Sequence, residues 1–122
     1  MSRILVVDDD RDLRELYMEL LTERGHVVVG AQDGVAGLEI ASRLKPDLIV
    51  TDWRMPRMDG VGLCKEVRRH KQLYATRIIL HSSEGTLVSR HADVCMPKIS
   101  DPEAFMLVIE ATLTVSDTEN VA

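Results

Sequence analysis

Apolar runs alternate with amphipathic stretches along the whole chain. "RILVV" (3–7) is a short β-branched run followed by acids and predicts a buried strand. From Asp10 the spacing turns helical, with Leu13, Leu16, Tyr17, Leu20 and Leu21 assigned to one face, Asp10 as cap and Gly25 as stop. "HVVVG" (26–30) predicts a second strand, and Val35, Leu38, Ala41 and Leu44 mark a helix over 34–44 that Lys45-Pro46 ends. "DLIV" (47–50) predicts the third strand, with the apolar run closing on Asp52, and a helix from about Val61 to His70 presents Leu63, Cys64 and Val67. "RIIL" (77–80) is the fourth strand and "DVCM" (93–96) a weak fifth. Ser100-Asp101-Pro102-Glu103 starts a final helix carrying Phe105, Val108, Ile109 and Leu113. This divides the chain into a single domain over 1–115 and a flexible tail over 116–122.

Strands alternating with helices make an α/β domain with a mainly parallel sheet. At 122 residues, 45% apolar and 29% charged, the chain is of ordinary globular composition and long enough for a real core. Aromatics are only 3%, so aliphatic residues and methionine must fill the interior. The net charge of −5 argues against a general nucleic-acid or anionic-membrane binder. No apolar run is long enough for a signal peptide or a bilayer span, which makes the cytoplasm the default compartment. Cys64 and Cys95 lack any zinc-binding spacing and read as reduced thiols rather than a disulfide.

Parallel sheets bind ligands at the C-terminal strand ends, beside the point where strand order reverses. The predicted strands place Asp8 and Asp9 at the first such end, Asp52 at the third, Ser82 at the fourth and Lys98 after the fifth. Carboxylates gathered at one edge repel one another by about 4 kcal/mol per pair at 4 Å and an effective dielectric near 20. Such a cluster calls for a hard divalent cation, Mg²⁺, held by carboxylates, water and a backbone carbonyl. A carboxylate nucleophile, a metal, the Ser82 hydroxyl and the Lys98 ammonium together make a phosphoryl-transfer site with Asp52 as the attacking group.

"ILVVDDD", "LIVTDWRMPRMDG", "IILHSS" and "MPK" resemble the receiver domain of two-component response regulators, of the chemotaxis single-domain type, from Arg3 to about Leu113. The resemblance implies a flavodoxin-like, doubly wound five-stranded sheet of order 2-1-3-4-5. It implies that Asp52 takes a phosphoryl group from a phosphohistidine on a sensor histidine kinase or histidine phosphotransfer protein. It also implies Asp9 and Asp52 as direct Mg²⁺ ligands, the Arg54 carbonyl as a third, and Asp8 acting largely through water. On this reading the chain catalyses only its own phosphoryl transfer and dephosphorylation and signals through protein contacts; it is expected to bind neither nucleic acid nor membrane, and to be a monomer, or a dimer through the first or last helix.

The chain departs from the family in one region. Only fifteen residues separate Ser82 from Lys98, too few for a strand, its loops and a full helix, so the fourth helix is expected to be short or absent. Cys95 stands where an aromatic is expected, and Ile99 where proline is expected. Arg54 and Glu84, each two residues past a site residue, are expected to pair across the pocket mouth. Two alternatives stay open. One is a degenerate receiver serving as a binding module. The other is a metal-dependent phosphohydrolase, which would want an acid where Arg54 stands.

Overall fold

The computed structural model describes residues 1–83, 88–98 and 101–121, with side chains in the last helix through residue 114. Five strands, β1 (Arg3–Val7), β2 (Val27–Ala31), β3 (Leu48–Asp52), β4 (Arg77–Ser82) and β5 (Val94–Pro97), form one sheet of order β2-β1-β3-β4-β5. Every neighbouring pair is parallel. The described helices are α1 (Arg11–Glu23), α2 (Gly34–Leu44), α3 (Gly60–Arg69) and α4 (Pro102–Val121), with one 3₁₀ turn at Lys71–Leu73. The expected fold class and strand order both hold.

An aspartate opens each of the first three helices. Asp10, Asp33 and Asp59 accept the backbone N–H of Leu13, Ala36 and Gly62 at 3.2, 2.8 and 2.8 Å. Each cap satisfies an otherwise unpaired donor and contributes about 1 kcal/mol. Arg24 caps the C-terminus of α1, beyond which Gly25 takes φ +90°, and Lys45 closes α2 in the left-handed region at φ 50°. The strands sit between two apolar layers. Leu5, Val7, Ile49, Ile78 and Leu80 meet Leu63, Cys64 and Val67 of α3 on one side. On the other, Ile4, Val6, Val50 and Ile79 meet Tyr17 and Leu21 of α1 and Phe105, Met106 and Ile109 of α4.

Three expectations shift. Leu16 lies off the buried stripe of α1 and is 45% exposed, because the stripe centres on Tyr17 and Leu21 with Met18 packed beside them. Val35 is likewise exposed, and α2 buries Gly34, Gly37 and Ala41 instead, small residues that let the helix approach the sheet. α4 continues past Leu113 to Val121, through the stretch expected to be a tail, where no glycine or proline interrupts it.

The connection from β4 to β5 contains no helix among its described residues, Ser83 and 88–93, which form turns, bends and irregular chain. Residues 84–87, including Glu84, lie outside the described set. Arg68 of α3 fixes this connection, donating to the carbonyls of His91 at 2.9 Å and Thr76 at 2.7 Å and to Asp93 at 2.8 Å. Asp93 also accepts the Ile78 N–H at 2.8 Å and pairs with Arg77 at 3.3 Å. Side-chain bonds from α3 hold the chain here.

Candidate functional site

The strand register brings the polar strand ends together. Val7 pairs with Thr51, Asp52 with His81, and Ser82 with Pro97, so Asp8, Asp52, Ser82 and Lys98 emerge at the same edge of the sheet. This edge includes the β1/β3 boundary at which strand order reverses. Oxygens of Asp8, Asp9 and Asp52 lie within 4.8 Å of one another. Asp8 is fully buried, Asp52 is 7% exposed, and Asp9 faces solvent.

Lys98 stands between the two buried acids. Its Nζ lies 3.3 Å from Asp8 Oδ2 and 3.4 Å from Asp52 Oδ2, and its own N–H donates to the Ser82 carbonyl at 2.9 Å. Burial raises the carboxyl pKa of Asp8, opposed by the Asp10 N–H at 2.9 Å and by Lys98. Burial also raises Asp52, Asp8's charge adds to the rise, and Lys98 opposes it. For Lys98 burial favours the neutral amine, yet Asp8 and Asp52 together raise its pKa. One ammonium therefore serves two carboxylates, and the site keeps an uncompensated demand for positive charge.

The phosphoacceptor candidate is anchored through its neighbour. The Trp53 N–H is shared between Asp52 Oδ1 at 2.8 Å and the His81 carbonyl at 3.1 Å. The Gly60 N–H donates to the Trp53 carbonyl at 2.8 Å, and a Cβ at Gly60 would collide with the Asp52 carbonyl oxygen. Asp59-Gly60 is thus a cap and a close-approach point. Arg54 is exposed, with its guanidinium carbon 3.9 Å from the Trp53 ring centroid. Ser82 is buried at the end of β4.

Several residues beside the site were not singled out from the sequence. A cavity of about 400 Å³ opens next to the acids, lined by Asp9, Gln32, Asp33, Pro56 and Arg57. Asp33 caps α2 from a buried position and meets Arg57 at 3.4 Å, while Arg57 holds φ 70°. The Asp33-Gly34 step ahead of a helical pattern was the available signal for that cap. His81 is 2% exposed, and its Nε2 has no hydrogen-bond partner among the described residues. Burial, then Lys98, lowers its pKa to about 3. Both cysteines are free, and burial pushes the Cys64 thiol up to about 12. No described helix is long and apolar enough to cross a membrane.

The sequence model of the response regulator receiver domain matches residues 4–110. Among curated relatives, the response regulator MprA of Mycobacterium sp. (strain KMS) is 47% identical over 66 residues, covering 54% of this chain and 29% of that protein. The DNA-binding dual master transcriptional regulator RpaA of Synechocystis is 30% identical over 123 residues, covering 96% of this chain and 51% of that one. The chain thus spans about half, or less, of these relatives' length. Among solved structures, Thermotoga maritima TrrA in complex with Mg(2+)-BeF superposes with TM-score 0.83 at 30% identity, covering 92% of this chain and 99% of that one. Vibrio cholerae CheY4 gives 0.79 at 26%, covering 92% and 98%. A parallel sheet with acids at its reversal point, a lysine between them and a family match along most of its length make this chain a member of the response regulator receiver domains of two-component signalling.

Proposed function

We propose that Asp52 is the phosphoacceptor of a two-component phosphorelay. An Asp52 carboxylate oxygen attacks the phosphorus of a phosphohistidine on a sensor kinase or phosphotransfer protein. The new O–P bond forms as the N–P bond breaks, and the imidazole leaves with the electron pair. The observation that carries this reading is the convergence of Asp8, Asp9 and Asp52 around the Lys98 ammonium at one sheet edge.

Mg²⁺ fits the donor set: three carboxylates within 4.8 Å, two with pKa values raised by burial, and a hard-oxygen chemistry throughout. Asp9 and Asp52 would hold the ion directly, Asp8 through water, and the Arg54 carbonyl would complete the protein ligands. When bound, it neutralises charge on the carboxylates and the incoming phosphoryl oxygens. Lys98 exchanges its contact with Asp52 for a phosphoryl oxygen, and the Ser82 hydroxyl donates to another. The output is a change in protein contacts, and the cytoplasm is the compartment where such a donor is met. DNA binding is named for RpaA, of which this chain spans half, and is not part of the reading.

Incubation with labelled acetyl phosphate and Mg²⁺ tests it. One phosphoryl group per chain should appear, labile in alkali and absent from Asp52→Asn. A label that persists in Asp52→Asn would move the acceptor elsewhere. A binding module or a phosphohydrolase would give no stable label.

A further inference from the structure

The usual aromatic position on the fifth strand holds Cys95, whose thiol is already engaged with Ser89. It accepts the Ser89 N–H at 3.3 Å and donates to the Ser89 carbonyl at 3.8 Å. A side chain this short, tied to its own turn, has no ring to swing. Yet one aromatic connection does run from the phosphoacceptor end of the sheet into a helical layer. His81 precedes Ser82 on β4 and pairs in register with Asp52. Its ring meets Tyr17 of α1 edge-on, with centroids 5.6 Å apart and planes at 60°. Tyr17 in turn stacks on Phe105 of α4 at 4.4 Å and 19°. All three residues are buried, at 2%, 4% and 2% exposure.

We infer that His81 is a positioning residue that passes the phosphorylation state of Asp52 through Tyr17 to Phe105, making the α1/α4 flank the surface that responds. The inference rests on the phosphoacceptor reading above. Two backbone links make His81 sensitive to the site. The Trp53 N–H bridges Asp52 Oδ1 and the His81 carbonyl, so converting that carboxylate to an acyl phosphate changes what the shared donor can bond. Ser82, the next residue, moves when its hydroxyl is drawn to a phosphoryl oxygen. Either displacement reaches a close-packed ring, and close-packed interiors transmit displacement instead of absorbing it. On the receiving side, His26 Nε2 meets Glu110 at 3.2 Å and Arg24 meets Glu103 at 3.6 Å, so α4 is tied at two further points to the chain after α1.

The test uses the full chain with Mg²⁺ and beryllofluoride as the phosphoryl mimic. Trp53 fluorescence reports occupancy, and amide exchange by mass spectrometry reports α4. In wild type, saturation should change exchange in α4 over 102–114 by about threefold or more. His81→Phe, which keeps a ring, should retain the change. His81→Val should lose most of it while still being saturated by the mimic, as Trp53 reports. A uniform loss of stability would alter exchange with and without the mimic alike, so only the mimic-induced difference counts. An undiminished difference in His81→Val, loss of it in His81→Phe, or a silent α4 in saturated wild type would each overturn the inference. No Trp53 response in wild type, matched by none in Asp52→Asn, would instead overturn the phosphoacceptor reading and this inference with it.

Discussion

Replacing Lys98 by methionine removes the one cation that the described structure sets between Asp8 and Asp52 while nearly preserving side-chain length. At 3.3 and 3.4 Å and an effective dielectric near 20, each contact is worth about 5 kcal/mol of gross attraction. Two carboxylates separated by up to 4.8 Å repel by about 3.5 kcal/mol or more on the same footing. The net loss is smaller than these figures, because an abandoned carboxylate can take up a proton. Protonating one group of ordinary pKa near 3.9 at pH 7 costs about 4 kcal/mol, which caps the damage. Lys98→Met should therefore lower unfolding free energy by about 2–4 kcal/mol at pH 7 without metal. Divalent cation should restore it disproportionately. Mg²⁺ at ten times its dissociation constant stabilises wild type by about 1.4 kcal/mol. If removing the ammonium tightens binding tenfold, the same concentration stabilises the variant by about 2.7 kcal/mol. Urea titrations followed through Trp53, with and without Mg²⁺, measure both quantities. A variant as stable as wild type without metal would refute the electrostatic account. So would a Mg²⁺ gain no larger than that of wild type.

Three further outcomes are expected. His81 has a folded pKa of about 3 against an ordinary 6.5, so on acidification the unfolded chain takes the proton first. Stability contributed by neutral His81 is therefore lost as pH falls from 6.5 towards 3, by at most about 1.4 kcal/mol per pH unit. Asp8 and Asp52, with raised pKa values, act the opposite way and gain stability as pH falls through those values, so the wild-type minus His81→Phe difference isolates the histidine. A pH-independent difference in urea titrations would contradict the burial of a neutral ring. Gly60→Ala should cost about 1–3 kcal/mol and weaken Mg²⁺ binding, because the new methyl meets the Asp52 carbonyl and Leu80; unchanged melting would show that the loop can retreat. Arg68→Ala should cost about 2–3 kcal/mol and speed amide exchange across 89–93, and Arg68→Lys should not rescue it, since one ammonium cannot span three acceptors; full rescue by lysine would reduce Arg68 to a point charge.

The site was legible in the sequence because a parallel sheet writes its ligand edge into the chain. Each apolar run that ended on a polar residue marked a strand's C-terminal end, and strand pairing then brought those ends together. The first helix start was legible for the same local reason, with Asp10 announcing its cap. What escaped depended on partners distant in sequence. Leu16 fits the helical spacing as well as Tyr17 does, and only the neighbouring sheet decides which is covered. Nothing in "IILHSS" distinguishes a buried histidine from an exposed one, because its contacts come from α1, sixty-four residues earlier in the chain. Arg68 sits in the basic run "RRHK", which reads as a solvated helix end until the β4–β5 connection lies against it.

That connection bears on how the domain can signal. A helix between β4 and β5 would satisfy its own backbone and shield the sheet edge as one movable body. Here, Arg68 of α3 donates to the His91 carbonyl and to the Asp93 carboxylate of the connection, and Asp93 in turn accepts the Ile78 N–H near the start of β4. Ile78 and Leu80 nevertheless remain fully buried, with Ala92 and Cys95 packed against the cluster that α3 completes. This side of the sheet is closed and cross-braced by charge-assisted bonds, which are short-range and geometrically demanding. The other side is held mainly by apolar and ring packing among α1, β4 and α4, with the Arg24–Glu103 and His26–Glu110 pairs at its rim. A displacement at the end of β4 therefore meets greater resistance towards α3 than towards α4, and the softer path leads to the last helix.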